Sequence, residues 1–75
     1  MIKINMTLYE MLKKKLLSVE DNYLITYENS KYWIRIIQIC NDTVYIVVDD
    51  DKKWLCRTEK LKNILVIKTI FDEIS

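Results

Sequence analysis

A chain of 75 residues that is 51% hydrophobic and 31% charged makes one domain with the aliphatic and aromatic content to fold, and leaves no room for a second. The formal net charge of +1 supplies no global field for a polyanion, and the lack of His, Gly and Pro removes imidazole chemistry and glycine-built phosphate loops. The longest apolar runs, VYIVV and ILVI, fall far short of a membrane span and the opening MIKINM has no signal-peptide core, so the expectation is a cytoplasmic protein without a membrane partner.

The first predicted element starts at MTLYEM. Thr7 followed by Glu10 is a capping box, and Met6 and Met11 occupy the two positions of a hydrophobic staple. With Leu8, Met11, Leu12, Leu16 and Val19 as an apolar stripe, the spacing predicts a helix from about Leu8 to Leu17 or Ser18. Lys13, Lys14 and Lys15 fall towards its C-terminal half, where the helix dipole favours cations.

After the turn-like residues Glu20, Asp21 and Asn22 the chain becomes rich in Ile, Val, Tyr, Trp and Thr, which suit a pleated, half-buried surface. Strands are predicted at Tyr23 to Glu28, Lys31 to Cys40, Thr43 to Asp49 and Lys53 to Arg57, joined by tight links at Asn29 and Ser30, Asn41 and Asp42, and Asp50 to Lys52. The last link would set Asp49 opposite Lys53. TEKLKNILVIKTIF is read as one helical turn near Thr58 to Lys62 and a strand from about Ile64 to Ile70, because ILVIKTI is dense in β-branched residues. The β-rich part thus covers residues 23 to 71 of a single domain spanning 1 to 75.

This order resembles a small five-stranded antiparallel barrel of the SH3-like type behind an N-terminal helix, an α+β fold. The piece from Tyr27 through Ile64, with Tyr32, Trp33 and Arg35 opening a strand and Leu61 after the fourth, resembles a Tudor-like hairpin series. The helix-first order is also similar to Sm-like proteins, although the Sm glycines and RNA-contact tripeptide are missing. Its size, its TLYEML opening and a composition that points to AT-rich codons resemble the short accessory proteins of phages and mobile elements, anti-CRISPR and other anti-defence inhibitors among them. That resemblance implies occlusion of a host protein in a bacterial cytoplasm.

Alternation through the predicted hairpins places Trp33, Ile37, Ile39, Val44, Ile46, Val48, Trp54 and Cys56 on one face, the expected interior. The other face receives Ile34, Ile36, Cys40, Tyr45, Val47 and Leu55 and is too apolar to stand in water uncovered. The helix stripe is the natural lid; a partner protein or a second copy is the alternative.

Catalysis finds little to work with. Ser18, Ser30 and Ser75 have no evident base, and Asp49, Asp50, Asp51 and Glu59 would need a special loop to converge on a proton or a metal ion. Cys40 and Cys56 lack metal-ligand spacing and read as buried thiols. No cofactor or metal is expected, and the function is read as non-enzymatic. The candidate partner-binding residues are Tyr27, Tyr32 and Tyr45, together with a hairpin tip and its basic neighbours, Asp50, Asp51, Lys52, Lys53 and Arg57. The wider basic set, with Lys13, Lys14, Lys15, Lys60 and Lys62, is compatible with nucleic acid, but acids lie among these cations and a protein partner is favoured.

Overall fold

A computed structural model describes residues 4–69; the expected strand end at Ile70 and Phe71 and the features of residues 1–3 lie outside the described residues. In chain order the elements are β1 (Met6–Thr7), α1 (Leu8–Lys13), β2 (Asn22–Tyr27), β3 (Ser30–Cys40), β4 (Thr43–Val48), β5 (Lys52–Cys56), α2 (Thr58–Lys62) and β6 (Leu65–Thr69). Antiparallel pairing joins the strands into one six-stranded sheet in the order β1-β6-β2-β3-β4-β5. The expected closed, five-stranded barrel is thereby corrected: a short strand precedes the helix, and β1 and β5 end the sheet without pairing to each other.

The helix begins for the local reason its sequence states. Thr7 Oγ1 accepts the Glu10 N–H at 3.1 Å and Glu10 Oε1 accepts the Thr7 N–H at 3.2 Å, so both halves of the capping box form. It ends at Lys13, well before the predicted Leu17 or Ser18. Lys15 enters the left-handed region (φ 58°), and its N–H and that of Leu16 turn back to the carbonyls of Leu12 and Met11. This pair of bonds is a Schellman closure, usually made at glycine and here made at lysine.

Among the described residues seven non-glycine residues have positive φ, and five of them shape the hairpins: Glu28 and Asn29, Asn41, and Asp49 and Asp50. Asn and Asp tolerate this region through local hydrogen bonding, whereas Glu and Lys pay about 1–2 kcal/mol there. The first turn lies at Glu28 and Asn29, one residue earlier than predicted, since Tyr27 pairs with Ser30. The Asn41–Asp42 turn is as predicted, with Cys40 opposite Thr43.

The third link keeps three residues but moves to Asp49, Asp50 and Asp51, because Val48 pairs with Lys52. Lys53 therefore lies opposite Val47 rather than Asp49, and Trp54 opposite Ile46. Every partner shifts by two, so each side chain keeps its face.

The larger correction is in β3. Its pairing with β4 slips between Ile36 and Gln38, which leaves Ile37 as the extra residue of a bulge. Ahead of the bulge the inward residues are Tyr32, Ile34 and Ile36; beyond it Ile39 turns in. The predicted interior is right for Ile39, Val44, Ile46, Val48, Trp54 and Cys56 and wrong for Trp33, which is exposed, and for Ile37, which is half-buried on the bulge. The Glu20–Asp21 turn clasps the bulge: Glu20 donates its N–H to the Ile36 carbonyl at 2.7 Å, and the Ile36 N–H goes to Asp21 at 2.9 Å.

One apolar cluster results, drawing Ile25, Ile34, Ile36, Val44, Ile46, Val48, Cys56 and Val66 from the sheet and Leu8, Met11 and Leu61 from the helices. Complete burial of each such aliphatic side chain contributes about 1.5–3 kcal/mol. Because Leu8 and Met11 enter this cluster, α1 closes the inner face and does not serve as the lid expected for the outer one.

Candidate functional site

The structure divides the predicted partner-binding residues among three places. Tyr27 and Tyr32 meet at one end of the inner face, around Trp54, with ring centroids 5.5 and 5.3 Å from the indole. Strands β2 and β5 are three places apart in the sheet, about 14 Å if it were flat, so the Tyr27–Trp54 contact measures how strongly the sheet curls. Lys60 of α2 sits above the group, its Nζ 4.4 Å from the Trp54 ring centre and 5.3 Å from that of Tyr27. Burial first, and then the neighbouring Glu28 carboxylate, holds the Tyr27 phenol above its ordinary value.

Tyr45 and Lys53 belong to the opposite surface, and Arg57, exposed, follows β5 as the N-cap residue of α2. On β4 and β5 the outward residues are Tyr45, Val47, Lys53 and Leu55, with Tyr45 directly across from Leu55 and Val47 from Lys53. Trp33 and Arg35 continue this surface onto β3 and Leu24 onto β2, where it pairs with Trp33. Trp33, Tyr45 and Leu55 are 36%, 37% and 45% exposed, so an aromatic and aliphatic area stays open to solvent. Arg35 reaches Glu20 at 3.4 Å on its rim.

Asp50, Asp51 and Lys52 occupy the β4–β5 tip, all exposed. A notch of about 40 Å³ between this tip and the outer face is lined by Trp33, Arg35, Val47, Asp49 and Asp50. Glu59, on α2, lies beyond the other end of β5, so the four carboxylates considered for chemistry are not brought together. Among the described residues no group of three or more His, Cys, Asp or Glu side chains could hold a metal ion. The larger hollow, about 380 Å³ beside Tyr27, Glu28, Asn29 and Asn63, is shallow and polar.

Of the basic set, Lys13 pairs with Asp42 at 3.4 Å, and Lys13 and Lys62 both approach the Tyr9 ring, at 5.3 and 4.9 Å. The cations are therefore spread over several surfaces and partly engaged. The thiols, both expected to be buried, also separate. Cys56 is buried, and burial pushes it up to about 11 against a smaller opposing effect of Lys60, while Cys40 is exposed and accepts Gln38 Nε2 at 3.2 Å.

Trp33 and Lys60 are the site residues missed in the sequence. For Trp33 a signal existed: in IRIIQI the apolar–polar alternation breaks at Ile36–Ile37, which marks the bulge and reverses the phase of everything before it. Lys60 carried no such signal, since its place over Trp54 depends on where α2 lands.

Compared with models of protein families, with curated proteins and with solved structures, the chain matches none. Among the described residues no helix is long and apolar enough to cross a membrane.

Proposed function

We propose that the chain is a non-enzymatic protein-binding module that acts by covering a surface of a partner protein. The observation that carries this reading is the open outer face, where Trp33, Tyr45 and Leu55 stay exposed beside Val47, with Arg35 and Lys53 at its margin. Aromatic residues and arginine around an apolar centre are the composition of a protein interface, and α1, the internal lid candidate, is engaged on the other side.

The element order, four hairpin-linked strands, a helical turn and a strand returning to β2, suits an opened variant of the SH3-like plan. With the AT-rich composition, this favours a phage or mobile-element accessory protein working in a bacterial cytoplasm, of the anti-defence type. Self-assembly and nucleic-acid binding are the competing readings. Scattered and partly engaged cations make nucleic acid the weaker of these.

The test is capture from a bacterial lysate by the intact chain and by a Trp33→Ala/Tyr45→Ser variant whose fold is verified by circular dichroism. A discrete protein retained through nuclease treatment and lost with the variant is expected. Recovery of nuclease-sensitive material alone, or equal capture by both forms, would overturn the reading. Light scattering that shows a stable oligomer, dispersed by the same substitutions, would transfer the face to self-assembly.

A further inference from the structure

β5 ends the sheet order, and among the described residues no strand pairs with its far side. Among the described residues it therefore presents alternate backbone N–H and C=O groups along five residues, roughly 17 Å of edge. Its sequence through the following residue, KKWLCR from Lys52 to Arg57, has three cations and no acid, set between Asp49–Asp51 at the tip and Glu59 on α2. Facing out of the sheet are Lys53 and Leu55, and the same alternation continued brings Arg57 into their row; all three are exposed. Next to this row, one strand in, stand Val47 and Tyr45.

We infer that β5 is a docking edge for an extended acidic segment of a partner protein, which adds as a further strand and sets acidic, apolar and acidic side chains beside Lys53, Leu55 and Arg57. The inference rests on the reading of the chain as a protein-binding module and names the edge and the chemistry of its partner. Strand addition supplies affinity through backbone hydrogen bonds, and the cation–leucine–cation row supplies selectivity through cross-strand pairs.

A second copy of the chain meets repulsion at this edge in the register that aligns the outward rows about Leu55. Two β5 strands paired antiparallel about Leu55 would set Lys53 of one copy opposite Arg57 of the other, and like charges directly opposite destabilise a sheet. The same cations that repel another β5 attract an acidic strand.

Amide chemical shifts of the full chain, titrated with a blocked synthetic peptide of about seven residues carrying Asp, Val and Asp at alternate positions with Thr between, test this directly. Shifts concentrated on Lys52 to Arg57 are expected, together with loss of binding when the peptide amides facing β5 are N-methylated. A Lys53→Glu/Arg57→Glu variant should bind the acidic peptide roughly tenfold more weakly and accept a peptide with Lys in place of Asp. The inference is overturned by shifts centred elsewhere, by no binding at millimolar peptide, or by equal binding of wild type and variant; the cations then only keep copies apart. If a lysate partner is captured equally by wild type and this variant but lost from Trp33→Ala/Tyr45→Ser, protein binding stands and edge docking falls.

Discussion

Both faces of this sheet carry apolar side chains, and the two meet opposite fates. The inner face has an aliphatic centre, Ile25, Ile34, Ile36, Val44, Ile46, Val48 and Val66, sealed by α1 and α2, with Tyr27, Tyr32 and Trp54 clustered at one end. The outer face is aromatic and charged at once, with Trp33, Tyr45 and Leu55 among Arg35 and Lys53, and it remains open. Hydrophobicity alone does not say which side of a strand becomes core. What distinguishes the two is cover and charge: helices seal the inner residues, whereas Trp33, Tyr45 and Leu55 share their face with Arg35 and Lys53, and amphipathic aromatic rings tolerate a surface that is wet on one side.

The sharpest way to break this contrast is to truncate one residue on each side. Ile46→Ala, at a fully buried site, is expected to lower unfolding free energy by about 3 kcal/mol in urea titrations. Leu55→Ala should change it by less than about 0.5 kcal/mol. Comparable losses at the two sites would mean that the outer face is structural.

The cysteines report the same division chemically. With its thiol pushed up to about 11 by burial, Cys56 holds less thiolate at neutral pH than a free thiol, and it is buried as well. Alkylation followed by mass spectrometry should therefore label Cys40 in the native protein and reach Cys56 only after unfolding. Tyr23 is raised too, by burial first and then by its 2.9 Å hydrogen bond to the Asp21 carboxylate. Both groups keep their protons in the folded chain at pH values where the unfolded chain has released them. Stability should hold below about pH 9 and fall as pH rises through 9 towards 11, which melting temperatures across that range would check.

Smaller effects lie at the termini of α1, which closes the inner face. Thr7→Ala removes the capping hydroxyl and should cost about 1 kcal/mol. Lys15→Gly relieves a left-handed lysine and should stabilise by up to about 1 kcal/mol, read as a higher melting temperature. If Lys15→Gly instead destabilises, the Schellman turn is not the element that ends the helix.

Much of the local structure was legible. Thr7 and Glu10 announced the helix start, Thr58–Lys62 its second counterpart, and Asn41–Asp42 a hairpin, because each signal depends on neighbours within a few residues. The helix end was not, since a left-handed lysine has no compositional mark when the chain has no glycine to spend there. Of the candidate site, Tyr45 and Lys53 do lie beside an open face, while Tyr27 and Tyr32 go to the ring cluster with Trp54 and Asp50 and Asp51 to the tip.

The sequence by itself determined the order of the hairpin-linked strands, the capped start of the helix and the lack of histidine or glycine chemistry, because periodicity, capping and composition act over short distances. Only the tertiary structure decided the phase of β3, the side that α1 closes, the place of β5 at one end of the sheet and the seat of Lys60 on Trp54. These depend on a one-residue bulge and on sheet curl, and a single extra residue reverses every side chain on one side of it.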